Sequence, residues 1–352
     1  MKNKTDIKSL NLCELEAAFT QMALPRFRAS QVYRWLQVQG VTYFDEMTNV
    51  SLQLREQLAA AYFIPSAQIE RKLVSQIDGT VKYLFSLYDG QTVESVVMQY
   101  KYGYTICVST QVGCRMGCRF CASTLNGCIR NLAASEILSQ IHAAQRDLSI
   151  RISHVVLMGM GEPLDNFENV LRFLELVSDE NGLNISARSI SLSTCGIVPK
   201  IKELTKRKLQ ITLSVSLHAP NDAIRSTIMP VNRKWGVDTL LAACREYASV
   251  TGRRISFEYT MIDGVNDSDA CARELGKKLR GMLAHVNLIP VNLVKENTFH
   301  KSDKVHIERF IEVLKEYGVT ATVRRTLGAD INASCGQLRQ SAKQAEQKEV
   351  SN

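Results

Sequence analysis

No apolar run in the sequence approaches the ~20 residues that span a bilayer, and residues 1–20 lack the apolar centre of a signal peptide. These absences set aside a helical membrane protein and lead to the expectation of a cytoplasmic one with no membrane partner. Nothing returns at a solenoid-type period, which sets aside a repeat array. Charge is not extreme either: 22% of residues are charged and 45% apolar, the proportions of an ordinary globular chain. A net charge of +8 permits a polyanionic partner without requiring one. Cysteine, by contrast, is not scarce. Ten cysteines in a chain expected to stay reduced do not make a disulfide framework, and 352 residues can bury a core without one.

The first hundred residues differ in pattern from the rest. "LCELEAAFTQMA", "ASQVYRWLQVQG" and "SLQLREQLAAAY" carry helical apolar spacing, and "VKYLFSLYDG" with "TVESVVMQY" reads as a β-hairpin turning at "YDGQ". Residues 1–95 are therefore expected to form a small α+β accessory module. From residue 96 to 340, short β-branched runs ("YTICVST", "SHVVLMGMG", "SISLST", "QITLSVSLH", "ISFEYTMI", "HVNLIPVN", "TATVRRT") alternate with helix-like stretches. Alternation with near-continuously apolar strands predicts a parallel α/β sheet, in number suited to a partial barrel rather than a closed eightfold one. Polar and Gly-rich turns follow the strands, at the edge where such folds carry their chemistry. The tail, 341–352, is polar.

"GCRMGCRFCAS" (113–123) places Cys114, Cys118 and Cys121 within eight positions. Three buried structural cysteines fit poorly, because Gly, Arg and Met break any apolar run. Structural zinc needs a fourth ligand, and Cys128 has no partner at motif spacing while the histidines are distant. An iron–sulfur cluster fits best: three thiolates in one loop reach three irons of a 4Fe–4S cluster and leave the fourth open, as a catalytic metal requires.

C-x-x-x-C-x-x-C after the first strand of a partial α/β barrel resembles the radical S-adenosylmethionine (SAM) superfamily, and "MGMGEP" (Met158–Pro163) resembles its Gly-Gly-Glu motif at the second strand. The resemblance implies a partial (β/α)6 barrel. It also implies a three-cysteine 4Fe–4S cluster whose open iron chelates SAM, and reductive cleavage of SAM to a 5′-deoxyadenosyl radical. In this reading glycines let the backbone approach the ligand, and Glu162 complements the SAM ammonium.

Two further cysteines stand apart. Cys107 in "ICVSTQVGC" would by itself be a packed strand thiol, and Cys335 in "GADINASCGQLR" lies in a polar, Gly-flanked stretch. With "RNLAASEI", "SLHAPN", "RSTIMPVNR", "GRRISFEYTMIDGVND" and "HVNLIPVN", they closely resemble the radical SAM RNA adenine methyltransferases of the RlmN/Cfr family, over residues 10–340. The resemblance implies two SAM molecules per turnover. Cys335 is methylated by one; the radical from the other converts that S-methyl group to a methylene radical, which adds to adenine. Cys107 then attacks the Cys335 sulfur to release product, leaving a transient disulfide. Glu94 in "TVESVVMQY" matches the family's proton acceptor, although alone it is equally a solvent-facing strand acid.

For SAM, the resemblance implicates Gly161, Glu162, Ser193, Ser216, Leu217, His218 and Asn292, each at a strand end. Cys128 and Cys195 fit no mechanistic role. Basic residues gather in "LPRFRASQVYRW", "TKRKLQ", "TGRR" and "VRR"; Arg26–Trp35 suits RNA contact and an amphipathic helix equally. The implied partners are 23S rRNA, tRNA, an electron donor and a disulfide reductant, acting on a monomer. "LIPVN", "GMGEPLDN" and "CASTLNG" favour the RlmN side, which methylates C2 of adenosine, over the Cfr side, which methylates C8. A non-enzymatic iron–sulfur, RNA-binding redox sensor is the reading from another class.

Overall fold

A computed structural model of the chain describes residues 4–291 and 299–333. The chain opens with β1 (Thr5–Asp6), α1 (Leu12–Gln21), α2 (Arg26–Arg34), α3 (Leu52–Ala61) and β2 (Tyr62–Phe63), β1 and β2 pairing in parallel. Helix α1 starts at a capping box, in which Asn11 accepts from the Glu14 amide and Glu14 from the Asn11 amide, both at 2.9 Å. The helix expected over 29–40 divides into α2 and one π turn, Trp35–Gln39, ended by Gly40 at φ +64°. A Cβ on Gly40 would lie 2.5 Å from the His142 ring, so only glycine allows this close packing.

Next come β3 (Gln68–Val74), β4 (Val81–Ser86), β5 (Thr92–Tyr100) and β6 (Gly103–Cys107), an antiparallel run. A small ribbon follows, β7 (Gln111–Gly113) with β8 (Cys128–Asn131). Helices and strands then alternate: α4 (Ala134–Leu148), β9 (Ile152–Leu157), α5 (Phe167–Ser178), β10 (Ile190–Thr194), α6 (Val198–Lys206) and β11 (Thr212–Ser216). The remainder is α7 (Asp222–Ile228), α8 (Val237–Thr251), β12 (Ile255–Met261), α9 (Asp269–Leu279), β13 (Ala284–Pro290), α10 (Lys304–Glu316) and β14 (Ala321–Val323). One ten-stranded sheet runs β14-β13-β12-β11-β10-β9-β6-β5-β4-β3, parallel from β6 to β14. This is the expected α/β fold, with strand neighbours following chain order as in a barrel that stays open. Residue 95 falls inside β5, so the sheet is continuous across the expected module boundary.

The strands are not continuously apolar, contrary to expectation. On one face Ile106, Val155, Leu192, Leu213, Val215, Phe257 and Leu288 are fully buried in the main core. On the other, register lines up Val96, Cys107 and Val156, then Ser193 with Ser214, and Ser216 with Glu258 and Asn287. A sheet that curls around a cavity needs an apolar surface only where helices cover it, so its inner face is free to be polar.

Candidate active site

The cysteine trio hangs from the β7–β8 ribbon. Gly113 has φ +85°, and a Cβ there would sit 2.0 Å from the Gly127 carbonyl oxygen, so glycine lets the two strands pinch together. Just beyond, the Cys114 amide donates to that same carbonyl at 2.8 Å. The Cys121 amide donates to Cys118 O at 3.1 Å, and the Arg119 amide fastens the loop to Ile228 O at 3.0 Å, at the end of α7. All three cysteines line one cavity of about 250 Å³, with Phe120, Gly161, Glu162, Ser193, Cys195, Ser216 and His218 also at its walls.

Burial pushes the Cys114 thiol up to about 12 and raises Cys118 and Cys121 as well. For Cys118 the next largest causes are Cys121 and Cys114, so the sulfurs crowd one another electrostatically. A bound cationic cluster reverses that preference by taking the thiolates as ligands. Three soft sulfurs from one loop, beside a cavity, suit a 4Fe–4S cluster chemically. Among the described residues no three Cys, His, Asp or Glu side chains already stand in metal-ligating geometry, so the loop would draw in around its metal.

Opposite the trio, Glu162 is buried, and its two carboxylate oxygens accept from the Leu164 amide at 3.0 Å and the Cys195 amide at 2.7 Å. Burial raises its pKa against the pull of these donors. The glycines before it do more than face the cavity. A Cβ on Gly159 would meet Val108 O at 2.6 Å, and one on Gly161 the Gln111 amide at 2.8 Å, so they seat the end of β9 against the β6–β7 connection. Ser193 and Ser216 line the cavity from the ends of β10 and β11. Leu217 is buried in the main core, leaving its backbone to act there. His218 adopts φ +58°, accepts the Thr260 amide on Nδ1 at 2.9 Å, and meets the Phe120 ring edge-on at 4.7 Å. Burial lowers its pKa to about 3, so the ring is neutral with its proton on Nε2.

A second cavity, of about 230 Å³, shares Met158, Gly159, Ile289 and Arg324 with the first. Cys107 and Glu94 both line it. Glu94 is 2% exposed, not solvent-facing, and its carboxylate pairs with the equally buried Lys82 ammonium at 3.0 Å. Lys82 lies opposite Val96, two residues from Glu94, so hairpin register puts the ions diagonally on one face. Burial pushes the Cys107 thiol up to about 11, with Arg324 opposing and Glu94 adding to the rise. Ala333 lines this cavity too. Cys335 and Asn292 lie outside the described residues.

Three residues to which the sequence reading gave no site role support or line the two cavities. Arg225 is fully buried and donates to Leu217 O, Ser216 O, Cys195 O and Asn232 Oδ1 at 2.7–3.0 Å, tying the ends of β10 and β11 to α7. Arg324, read as part of a basic cluster, stands where the two cavities join. Lys82 is the third. An arginine or lysine in isolation reads as a solvated charge; the available clue was a lysine inside the otherwise apolar "VKYLF". In Arg26–Trp35, Tyr33 turns inward to donate to Asp179 at 2.6 Å, while Phe27 stays exposed under Arg28. Cys195 lines the first cavity, and Cys128 pairs with Gly113 across the ribbon.

The radical SAM superfamily model matches residues 108–273, and a model described as the ribosomal RNA large subunit methyltransferase N-terminal domain matches residues 5–64. A "probable dual-specificity RNA methyltransferase RlmN" of Alkaliphilus oremlandii is 54% identical, over 96% of this chain and 98% of its own. A protein with the same name from Clostridium novyi is 52% identical, again over 96% and 98%. A solved radical SAM methyltransferase from Sphaerobacter thermophilus superposes with a TM-score of 0.90 at 43% identity, covering 95% of this chain and 98% of that one. Similarity of this extent to named methyltransferases selects an enzyme over a non-enzymatic sensor. No helix among the described residues is long and apolar enough to cross a membrane. With a polar-lined open barrel, a three-cysteine loop at its mouth and matches across nearly its whole length, the chain belongs to the RlmN family of radical SAM methyltransferases.

Proposed function

We propose that the protein methylates C2 of an adenosine in 23S rRNA and of the anticodon-adjacent adenosine in tRNA. Cys114, Cys118 and Cys121 would hold the cluster, and Gly161, Glu162, Ser193, Ser216, the Leu217 backbone, His218 and Asn292 would bound the SAM site. When bound, cluster and SAM supply a one-electron cleavage that generates a carbon radical. Cys335 carries the methyl group to the base, Glu94 accepts the proton lost from the ring carbon, and the adduct's one unpaired electron, matching the one spent in the cleavage, returns to the electron donor. The Cys107 thiolate then displaces the product from the Cys335 sulfur, and the released carbon takes up a proton to become the methyl group. The disulfide so formed takes two electrons from an external reductant before the next turnover.

The observation that carries this reading is the pair of joined cavities: the three clustered cysteines line one, and Cys107 with Glu94 line the next. Ala333, two positions before Cys335 in the sequence, lines the same cavity as Cys107 and Glu94. Polar groups over the barrel mouth, Arg324 and Arg325 among them, suit a nucleotide flipped out of an RNA fold. The protein, prepared anaerobically and supplied with SAM, reductant and a defined rRNA fragment or tRNA, should yield 2-methyladenosine by nucleoside mass spectrometry. Finding 8-methyladenosine alone would reject the C2 assignment, and full activity of Cys335→Ser the mechanism.

A further inference from the structure

The segment that leads into Cys335 is fastened at several points to the turn between β3 and β4. Asp330 accepts from Ser75 Oγ at 2.7 Å and from the Gln76 amide at 2.8 Å. Asp78 accepts from the Gly328 amide at 2.8 Å. Lys82, while paired with Glu94, donates to Asn332 O at 2.8 Å. The segment is also tied to itself: the Ala333 amide donates to Gly328 O at 3.0 Å, closing a tight turn. Gly328 has φ +61°, and a Cβ there would meet the Ala333 Cβ at 2.6 Å and Thr80 Cγ2 at 3.1 Å. The bonds to Ser75, Gln76, Asp78 and Lys82 join residues some 250 positions apart, so they arise from tertiary docking alone.

We infer that the β3–β4 turn is a dock that positions the methyl-carrying segment, with Asp330, Asp78 and Lys82 as positioning residues. The inference rests on Cys335 being the methyl carrier, as proposed above. Its physical basis is tethering: a group carried on an anchored stretch of chain searches a smaller volume than one on a free end, and Ala333, at the end of the anchored stretch, lines the Cys107 cavity. Lys82 adds a link that the aspartates lack. One ammonium bridges the carboxylate assigned to ring deprotonation and the backbone of the docked segment, so both are held to one point on β4. Asp78 is suited to a permanent dock: burial weighs against its charge, but donors from Gly328, Thr80 and Ser75 win and hold it at about 2, ionised at any working pH.

Asp78 lies on the β3–β4 turn and the exposed Asp330 on the short segment docked against it, neither in the core, so their alanine variants should fold. In Asp330→Ala and Asp78→Ala, backbone amides of 328–333 should exchange hydrogen at least ~10-fold faster in the metal-free protein, as expected for lost fastening. In the reconstituted enzyme, 5′-deoxyadenosine formed per methylated adenosine should rise at least ~5-fold, because radicals are made while the acceptor is out of place. Asp330→Asn, which keeps one acceptor oxygen, should fall between. Unchanged exchange, or faster exchange with wild-type coupling, would overturn the dock. If instead Cys335→Ser methylates at the wild-type rate, the functional reading fails, whereas the exchange readout still tests the dock by itself.

Discussion

The two joined cavities are built in opposite ways. The first takes its characteristic groups from one loop, where Cys114, Cys118 and Cys121 follow each other within eight positions. The second takes Glu94 from β5, Cys107 from β6, Arg324 from beyond β14 and Ala333 from near the end of the described chain. Its hidden cation, Lys82, comes from β4. Local spacing makes the first; strand register and docking make the second. The difference teaches which substitutions should abolish a cofactor and which should only misplace a reacting group.

Cys118→Ala should produce the largest change. Iron should fall from about four per chain to near none in anaerobic preparations, with methylation undetectable. Cys107→Ala should keep its iron and stall at product release, so that RNA stays covalently attached on a denaturing gel. Equal iron loss in both variants would erase the distinction between the cavities.

Next in size is the buried ion pair. Lys82→Met removes the cation 3.0 Å from a buried carboxylate and should destabilise by about 3–5 kcal/mol in denaturant titration. Lys82→Met combined with Glu94→Leu should be less destabilised than Lys82→Met alone, since no buried charge is left behind. Additive losses would mean that the two residues act separately. Arg225→Met, which strips donors from three carbonyls at the ends of β10 and β11, should cost about 2–4 kcal/mol. It should also weaken SAM binding while leaving Cys107 alkylation unchanged.

The smallest effect is a pH slope. With Cys107 held near 11, its thiolate is scarce at neutral pH and grows about tenfold per pH unit until that value. Alkylation of Cys107 in the metal-free protein should follow this slope from pH 7 to 10. A plateau near pH 8.5, the range of an ordinary exposed thiol, would show that the second cavity is open rather than enclosed. His218, at about 3, should contribute no titration over the same range.

Much of this was legible in the sequence. The seven β-branched runs from residue 104 onward all became sheet strands, and the six helix-like stretches between them became helices, because periodicity reports which side of an element meets the core. Strand β3, the β7–β8 ribbon and the short α7 were not foreseen. Residues 68–74 are largely exposed and polar along an edge, with no apolar alternation to read, and α7 is only two turns long. The glycines of "GMGEP" were read as making room for a ligand; the structure shows that they also make room for the chain's own Val108–Gln111.

By itself the sequence determined the order of the elements, the three-sulfur loop and the family, since each is written in contiguous residues. Only the tertiary structure decided that Glu94 is buried against Lys82, that Arg225 ties together two strand ends, and that the Asp330 segment sits on the β3–β4 turn. Those facts depend on long-range register and on burial. Charged side chains keep the same identity whether water or protein surrounds them, so their letters cannot say which environment they occupy.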